Sequence, residues 1–296
     1  MTSQKPTVLI TGATGQIGGD TLRNLLEDDS ITLVAAVRSA AKAKPFEALG
    51  IRTVMLDFDK EETLAPALQG IDRALLVTGY TVDMLRQSKA FLDQAKKAGV
   101  QHIVHLGACG RDDTTIGHWA WHQFVERYIE WCGFSFTHLR PECFMQNLLS
   151  YDGTQAVKNG VIEQYTGDAR FSWVDGEDVA RVAAQTLLYS HKHAGKTYRL
   201  GYDVQSYGDI AAIMTRVLGQ PFRYDAQSPD VFLENMRAAG AEMAYMTCVH
   251  DNFTRMAARQ IPGVEETFDN FPEITGRQPV RWEDFVQKHR SAFVYS

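Results

Sequence analysis

No apolar run in the 296 residues reaches the roughly 18 positions that a membrane-spanning helix needs, so no membrane partner is expected. Basic residues are in the minority: 30 Lys and Arg stand against 36 Asp and Glu, a net charge of −6. That balance leaves no electrostatic footprint for a phosphate backbone, and no nucleic-acid partner is expected. Cysteine is scarce. Cys109, Cys132, Cys143 and Cys248 contain no CxxC pair, which speaks against a disulfide framework and predicts reduced, buried thiols that pack as small hydrophobes. The start, MTSQKPTVLITGATG, has no signal-peptide core. These absences together predict a cytoplasmic protein.

What remains is an ordinary globular composition, 45% hydrophobic and 22% charged. In the first half, short runs rich in Val, Ile and Leu alternate with helix-like stretches. The runs are Thr7–Thr11, Thr32–Val37, Arg52–Leu56, Ala74–Thr78, His102–Leu106 and Ser135–Leu139; helices are expected over Gly15–Leu26 and Gln123–Cys132. Continuous apolar strands separated by helices predict a parallel sheet covered on both faces, hence a doubly wound α/β fold of Rossmann type. Beyond Arg140-Pro141 helical stretches predominate: Phe144–Lys158, Gly176–Tyr189, Tyr207–Leu218 and Asp230–Gln260, with strands at Lys196–Leu200 and Phe222–Asp225. The reading is a dinucleotide-binding domain over residues 1–150 and a smaller, mostly helical substrate lobe over 151–296, with a soft boundary and segments open to interleaving.

The segment ITGATGQIGG carries the most information. Gly12, Gly15 and Gly18 form GxxGxxG immediately after the first strand and at the opening of the first helix. In that context Gly12 permits the tight turn, Gly15 lets backbone approach a pyrophosphate, and Gly18 lets helix and sheet pack closely. The loop Gly12, Ala13, Thr14, Gly15, Gln16 and Ile17 would then present the helix N-terminus to the phosphates. An NAD site usually places Asp or Glu at the end of the second strand to read the ribose 2′-hydroxyl. Here Arg38 stands there, with Lys42 following. A guanidinium pairs bidentately with a 2′-phosphate and stacks on adenine, so NADPH is favoured over NADH; the alternative is a solvated arginine.

Strand ends supply the other candidates. Asp57 and Phe58 follow the third strand and suit the adenine, or simply turn the chain. Thr78 and Gly79 end the fourth strand beneath the riboses. Gly107 and Ala108 end the fifth, near the nicotinamide. After the sixth strand, Pro141, Glu142, Cys143, Phe144 and Asn147 are expected in a cleft, Cys143 and Phe144 against the cofactor and Glu142 and Asn147 towards substrate; a loop packed under a helix start is the alternative. Tyr80, Trp119 and Tyr151 are candidates for an apolar substrate pocket, or are plain core and rim aromatics.

Across nearly its whole length the chain resembles the NmrA-like group of atypical short-chain dehydrogenase/reductases. The resemblance rests on TGATGQIGG, Val37-Arg38, Leu56–Asp59 (LDFD), the stretch His118–Asn147, WVDGEDVARVAA at Trp173–Ala184, and TGRQPVRWEDFV at Thr275–Val286. Short-chain reductases commonly use a Tyr-x-x-x-Lys pair as proton donor, and this sequence has none. On the corresponding helix stand His118 and His122, which share a face with Glu126. Relatives often carry Lys or His at the position of His122, where it meets the nicotinamide ribose or amide, and a neutral imidazole can also protonate a substrate atom. The alternative makes both packing histidines. Zinc held by His-x-x-x-His lacks a ligand set, so no metal is expected, and His102, His105, His191 and His193 read as structural or solvated.

The resemblance implies NADPH-using reductases of dyes and quinones, and also redox sensors and a co-regulator that bind the dinucleotide without turnover. The leading expectation is an NADPH-dependent oxidoreductase of an apolar conjugated or carbonyl-like small molecule: a quinone, dye, enone or imine. The alternative is a catalytically silent NAD(P) sensor that binds a protein partner. A homodimer is compatible with either.

Overall fold

The computed structural model describes residues 5–149 and 156–295. The chain divides into two compact units that interleave along the sequence. The first comprises Met1–Ala108, Trp121–Arg140 and Val179–Tyr198; the second comprises Cys109–Ala120, Pro141–Asp178 and Arg199–Ser296.

In the first half, strands β1 (Thr7–Ile10), β2 (Thr32–Val37), β3 (Arg52–Met55), β4 (Arg73–Leu76), β5 (His102–Leu106) and β6 (Ser135–Pro141) alternate with helices α1 (Gln16–Leu25), α2 (Ala40–Glu47), α3 (Leu64–Ala67), α4 (Met84–Ala98) and α5 (Gly117–Trp131). Strands β7 (Cys143–Phe144), β8 (Val157–Lys158), β9 (Val161–Gln164), β10 (Phe171–Val174), β11 (Lys196–Leu200), β12 (Asp203–Gln205) and β13 (Arg223–Ala226) follow. The helices among and after them are α6 (Gly176–Leu188), α7 (Ser190–His193), α8 (Tyr207–Leu218), α9 (Pro229–Ala238), α10 (Met243–Ala257), α11 (Asn270–Thr275), α12 (Trp282–Lys288) and α13 (Arg290–Phe293).

The central sheet runs β11-β6-β5-β4-β1-β2-β3, and every pairing from β3 across to β6 is parallel. The strand order reverses between β1 and β4, so the carboxyl ends of these two strands form the topological switch point where doubly wound sheets bind ligands. Leu9, Val34, Leu76, Phe91 and Ile103 belong to one buried core of this unit, with Phe58 packed against it. Apolar faces on both sides explain why the strands read as unbroken hydrophobic runs.

Among the described residues the second unit has two small sheets, β12-β10-β7 and β13-β9-β8. Its core gathers Trp173, Trp282, Phe171, Tyr207 and Phe285. Trp173 and Trp282 stack edge to face at 5.0 Å, a geometry that adds to the burial of two large rings. The lobe is thus more β-rich than expected.

Two helical expectations fail. Over Phe144–Lys158 the described residues give a strand at Cys143–Phe144, a 3-10 turn at Met145–Leu148 and a strand at Val157–Lys158. The reason lies at Asn159-Gly160, both at positive φ, which turn β8 back antiparallel onto β9. Asn-Gly is the strongest short hairpin signal. The long helix expected over Asp230–Gln260 is two helices, α9 and α10. Gly240 at φ 71° breaks it, and the Glu242 carboxylate restarts it by accepting from the Ala244 and Tyr245 N–H groups. The helix expected from Gln123 begins at Gly117 instead, which puts His118 and His122 one turn apart on α5.

Candidate functional site

The turn after β1 is built for close approach. Thr11 is buried; its hydroxyl donates to the Leu75 carbonyl at 2.8 Å and accepts from the Val77 N–H at 2.8 Å. That side chain pins the end of β1 to β4. Gly12 follows at φ 64°, where a Cβ would meet Val77 at 3.1 Å, and its carbonyl accepts from the Gly15 N–H at 2.8 Å. At Gly18 a Cβ would lie 2.3 Å from the Gly12 oxygen, so no larger residue fits between α1 and the strand. Gly15 caps α1 with no side-chain hydrogen bond, and the first turn holds no acidic residue. A helix N-terminus leaves backbone N–H groups without intrahelical partners and carries a partial positive charge. Gly12, Thr14, Gly15 and Gln16 are solvent-exposed, whereas Ala13 is buried and Ile17 half-buried. This turn, glycine at positions 12, 15 and 18 and ending on free backbone N–H groups, fits a pyrophosphate.

Along the same sheet edge, Arg38 is exposed just past β2, and Lys42 is exposed on α2. Asp57 is half-buried; its Oδ1 accepts from the Asp59 N–H at 3.2 Å, a turn-forming bond. Phe58 packs edge-on against Phe91 with centroids 5.7 Å apart. Thr78 is half-buried and Gly79 exposed beyond β4. Tyr80 beside them is 77% exposed. Gly107 ends β5 with its N–H donating to Leu139 at 2.8 Å, and a Cβ there would stand 3.4 Å from both Glu126 Oε1 and the His105 ring; Ala108 follows, half-buried.

Behind Gly107 lies a buried polar layer between β5, β6 and α5. Arg140 clamps Glu126 with two bonds, Nε to Oε1 at 2.9 Å and Nη2 to Oε2 at 2.6 Å, and both side chains are buried. His122 Nδ1 lies 3.3 Å from His105 Nε2. His138 Nε2 lies 3.2 Å from Glu130 Oε1, and its ring stacks on Phe136. Burial pushes His105 down to about 3 and His138 to about 2, with the Arg140 guanidinium acting in the same direction on each. Both are neutral rings. His105, Glu126 and His138 offer ligand atoms within 4.8 Å of one another, yet Arg140 already occupies both carboxylate oxygens, so the group is an internal ion pair flanked by neutral imidazoles.

His118 and His122 share α5 but have different surroundings. His118 packs on Trp119 and Tyr245, and burial lowers it to about 4. Trp119 is itself buried. In the second unit Glu142 is buried, and its Oε1 accepts from Arg199 Nε at 3.0 Å and Nη2 at 2.8 Å. Asn147 Nδ2 reaches Cys143 Sγ at 3.7 Å, and burial raises the Cys143 thiol to about 12. Phe144 is half-buried. Tyr151 lies outside the described residues. The sequence reading overlooked Thr11, which only the β1–β4 pairing reveals, and Arg140 and His138, whose alternation along β6 puts them on one face.

Residues 4–285 match the NmrA-like family. An NAD(P)H azoreductase from Xenophilus azovorans is 31% identical over 291 residues, covering 97% of this chain and 99% of that protein. An NADPH-dependent quinone oxidoreductase from Escherichia coli, solved with NADPH, superposes with a TM-score of 0.82 at 26% identity, covering 95% of this chain and 99% of the other. A Citrobacter sp. triphenylmethane reductase solved with NADP(H) shares the fold, with a TM-score of 0.81 at 21% identity over 96% and 99% of the two chains.

Proposed function

This chain belongs to the NmrA-like family, and on that premise we propose that it is an NADPH-dependent oxidoreductase reducing an apolar, conjugated or carbonyl-like small molecule of the quinone, dye, enone or imine type. The observation that carries the reading is the turn at Gly12 to Gly18: left-handed at Gly12, closed to any Cβ at Gly18, and opening on a helix N-terminus with no side-chain cap. The names of the azoreductase, the quinone oxidoreductase and the triphenylmethane reductase support a conjugated acceptor. The silent-sensor alternative has less behind it.

The bound nicotinamide supplies the hydride. The protein's own groups position it. The N–H groups of the first turn of α1 hold the pyrophosphate, and Arg38, with Lys42 nearby, pairs with the 2′-phosphate. Thr78, Gly79, Gly107 and Ala108 bed the riboses and nicotinamide, Gly107 being small because a Cβ there would press on the Leu139 carbonyl oxygen at 3.2 Å. His122 meets the nicotinamide ribose or the reacting atom of the substrate. His118 lies a turn away in an apolar setting, and Trp119, Phe144, Cys143, Asn147, Glu142, Tyr80 and Tyr151 are the residues to probe for substrate selection. On this reading the enzyme works in the cytoplasm on a small molecule, and a homodimer is the protein partner to look for.

The test is NADPH consumption against a panel of quinones, azo and triphenylmethane dyes, enones and imines, run beside cofactor titration. Turnover with at least one class is expected. Tight NADPH binding with no turnover across the panel would refute the enzyme.

A further inference from the structure

His105 sits on β5 with no exposed surface, and its two ring nitrogens have unlike surroundings. Nε2 faces His122 Nδ1 at 3.3 Å. Nδ1 is buried without a hydrogen-bond partner among the described residues. The ring is neutral, held near 3 by burial and by the Arg140 guanidinium, so it carries one proton. Placed on Nδ1, that proton would be a buried donor with no acceptor, the rarer and costlier defect in protein interiors. Placed on Nε2, it is donated to His122, and only a lone pair goes unmet.

We infer that His105 is a positioning residue: it donates from Nε2 to Nδ1 of His122, and so holds His122 as the tautomer that carries its proton on Nε2. Held this way, His122 carries its donor on Nε2, as its role in the proposed site requires. The inference rests on the reading that His122 meets cofactor or substrate. A donor aimed at the carbonyl oxygen or imine nitrogen would stabilise the negative charge that develops there as hydride arrives. No covalent step is assigned to either ring.

The surroundings keep His105 from swinging away. His138 is its direct lateral partner in the β5–β6 register, with ring centroids 5.9 Å apart and nearly perpendicular planes. His138 is itself held by Phe136 at 4.4 Å and by Glu130. A hydrogen bond to a second group is how a histidine's tautomer is ordinarily set, and here that group is another neutral histidine.

Histidine-selective nitrogen NMR of the ligand-free protein at neutral pH reads the tautomer directly. His122 is expected with a proton on Nε2 and a bare Nδ1; the opposite pattern overturns the inference. In kinetics, His105→Phe keeps a ring but removes the donor, and His105→Gln keeps an amide N–H. His105→Phe is expected to lower kcat about tenfold with little change in KM, since complete loss of such a donor costs about 10²–10³-fold, and His105→Gln is expected to restore most of it. Equal behaviour of the two variants overturns the positioning role. If His105→Phe does not fold, the wild-type spectrum alone decides. A wild-type tautomer as expected, combined with unaltered binding and turnover in His122→Ala, would sink the site assignment of His122 and separate that failure from failure of the tautomer lock.

Discussion

Replacing Gly15 and Gly18 by alanine, one at a time, separates packing from ligand approach within six residues of one another. At Gly18 the added Cβ would lie 2.3 Å from the Gly12 oxygen, 2.5 Å from the Gly12 carbonyl carbon and 2.8 Å from the Thr11 oxygen. All three are backbone atoms, and Thr11 is tied to β4 by its own hydroxyl. Relief requires α1 to lift off the strand by close to 1 Å, and overpacking of this kind costs about 1–3 kcal/mol. Gly18→Ala should therefore melt several degrees lower and bind NADPH poorly. At Gly15 the nearest atom to a Cβ is the Gly12 oxygen at 3.3 Å, and the backbone at φ −89°, ψ 178° is open to alanine. Exchanging Gly for Ala at a helix N-cap costs only around 1 kcal/mol or less. The methyl group would nonetheless stand at the helix N-terminus, where the pyrophosphate needs backbone. Loss of a charge-assisted contact of about 1.5–3 kcal/mol corresponds to roughly 10- to 150-fold in affinity. Thermal melts and NADPH titration by nicotinamide fluorescence measure both quantities. Gly15→Ala binding as tightly as wild type, with its melt unchanged, would refute the placement of the pyrophosphate.

Arg38→Ala should weaken NADPH by about 10- to 150-fold and NADH hardly at all; equal losses for both cofactors in calorimetric titration would remove Arg38 from the 2′-phosphate. Arg140→Met should cost up to about 3–5 kcal/mol in chemical denaturation, because it leaves the buried Glu126 with only the largely exposed Arg127 at 3.5 Å, and Arg140→Met combined with Glu126→Leu should recover much of that loss; an additive double variant would contradict the pairing. His102, His105, His118 and His138 all sit below their ordinary value of 6.5, at about 4, 3, 4 and 2, chiefly through burial. Each lowered value means that the unfolded chain takes up the proton first. Their stabilisation is complete above pH 6.5 and declines as pH falls towards 4, by up to about 1.4 kcal/mol per pH unit for each ring. Denaturation midpoints measured from pH 7 to pH 4 should fall accordingly, and a flat profile would contradict buried neutral histidines.

The parallel sheet was readable because its strands obey two local rules at once: apolar on both faces, and punctuated by helices with their own periodicity. His102–Leu106 and Thr32–Val37 fall at their expected bounds. The second unit was less readable because its strands are two to four residues long between β7 and β10, too short for alternation to accumulate. Phe144–Lys158 looked helical for the same reason, although Asn159-Gly160 was present as a hairpin signal immediately after it. The chain's return to the first unit over Val179–Tyr198 has no local signature at all. It depends on where α6 packs, and periodicity reports only that α6 is amphipathic.

The candidate site divides in the same way. The glycine turn was legible since its chemistry is backbone chemistry at fixed spacing, and the structure gives Gly12 and Gly18 separate steric reasons. The layer behind Gly107 was only half legible. His118, His122, Glu126 and Glu130 recur every four residues along α5, a stripe visible in the sequence. Charged and polar residues at that spacing more often line a solvated helix face, because an unpaired carboxylate is too costly to bury. What reverses the inference is Arg140, fourteen residues away on β6 and buried with Glu126. Its fork satisfies the carboxylate and so allows the stripe to face inward, which in turn brings His122 within reach of His105. No spacing rule connects α5 to β6 across the turn at Gly133. The pairing exists only once the sheet has formed, and for that reason a histidine that reads as structural or solvated in the sequence becomes a direct neighbour of His122.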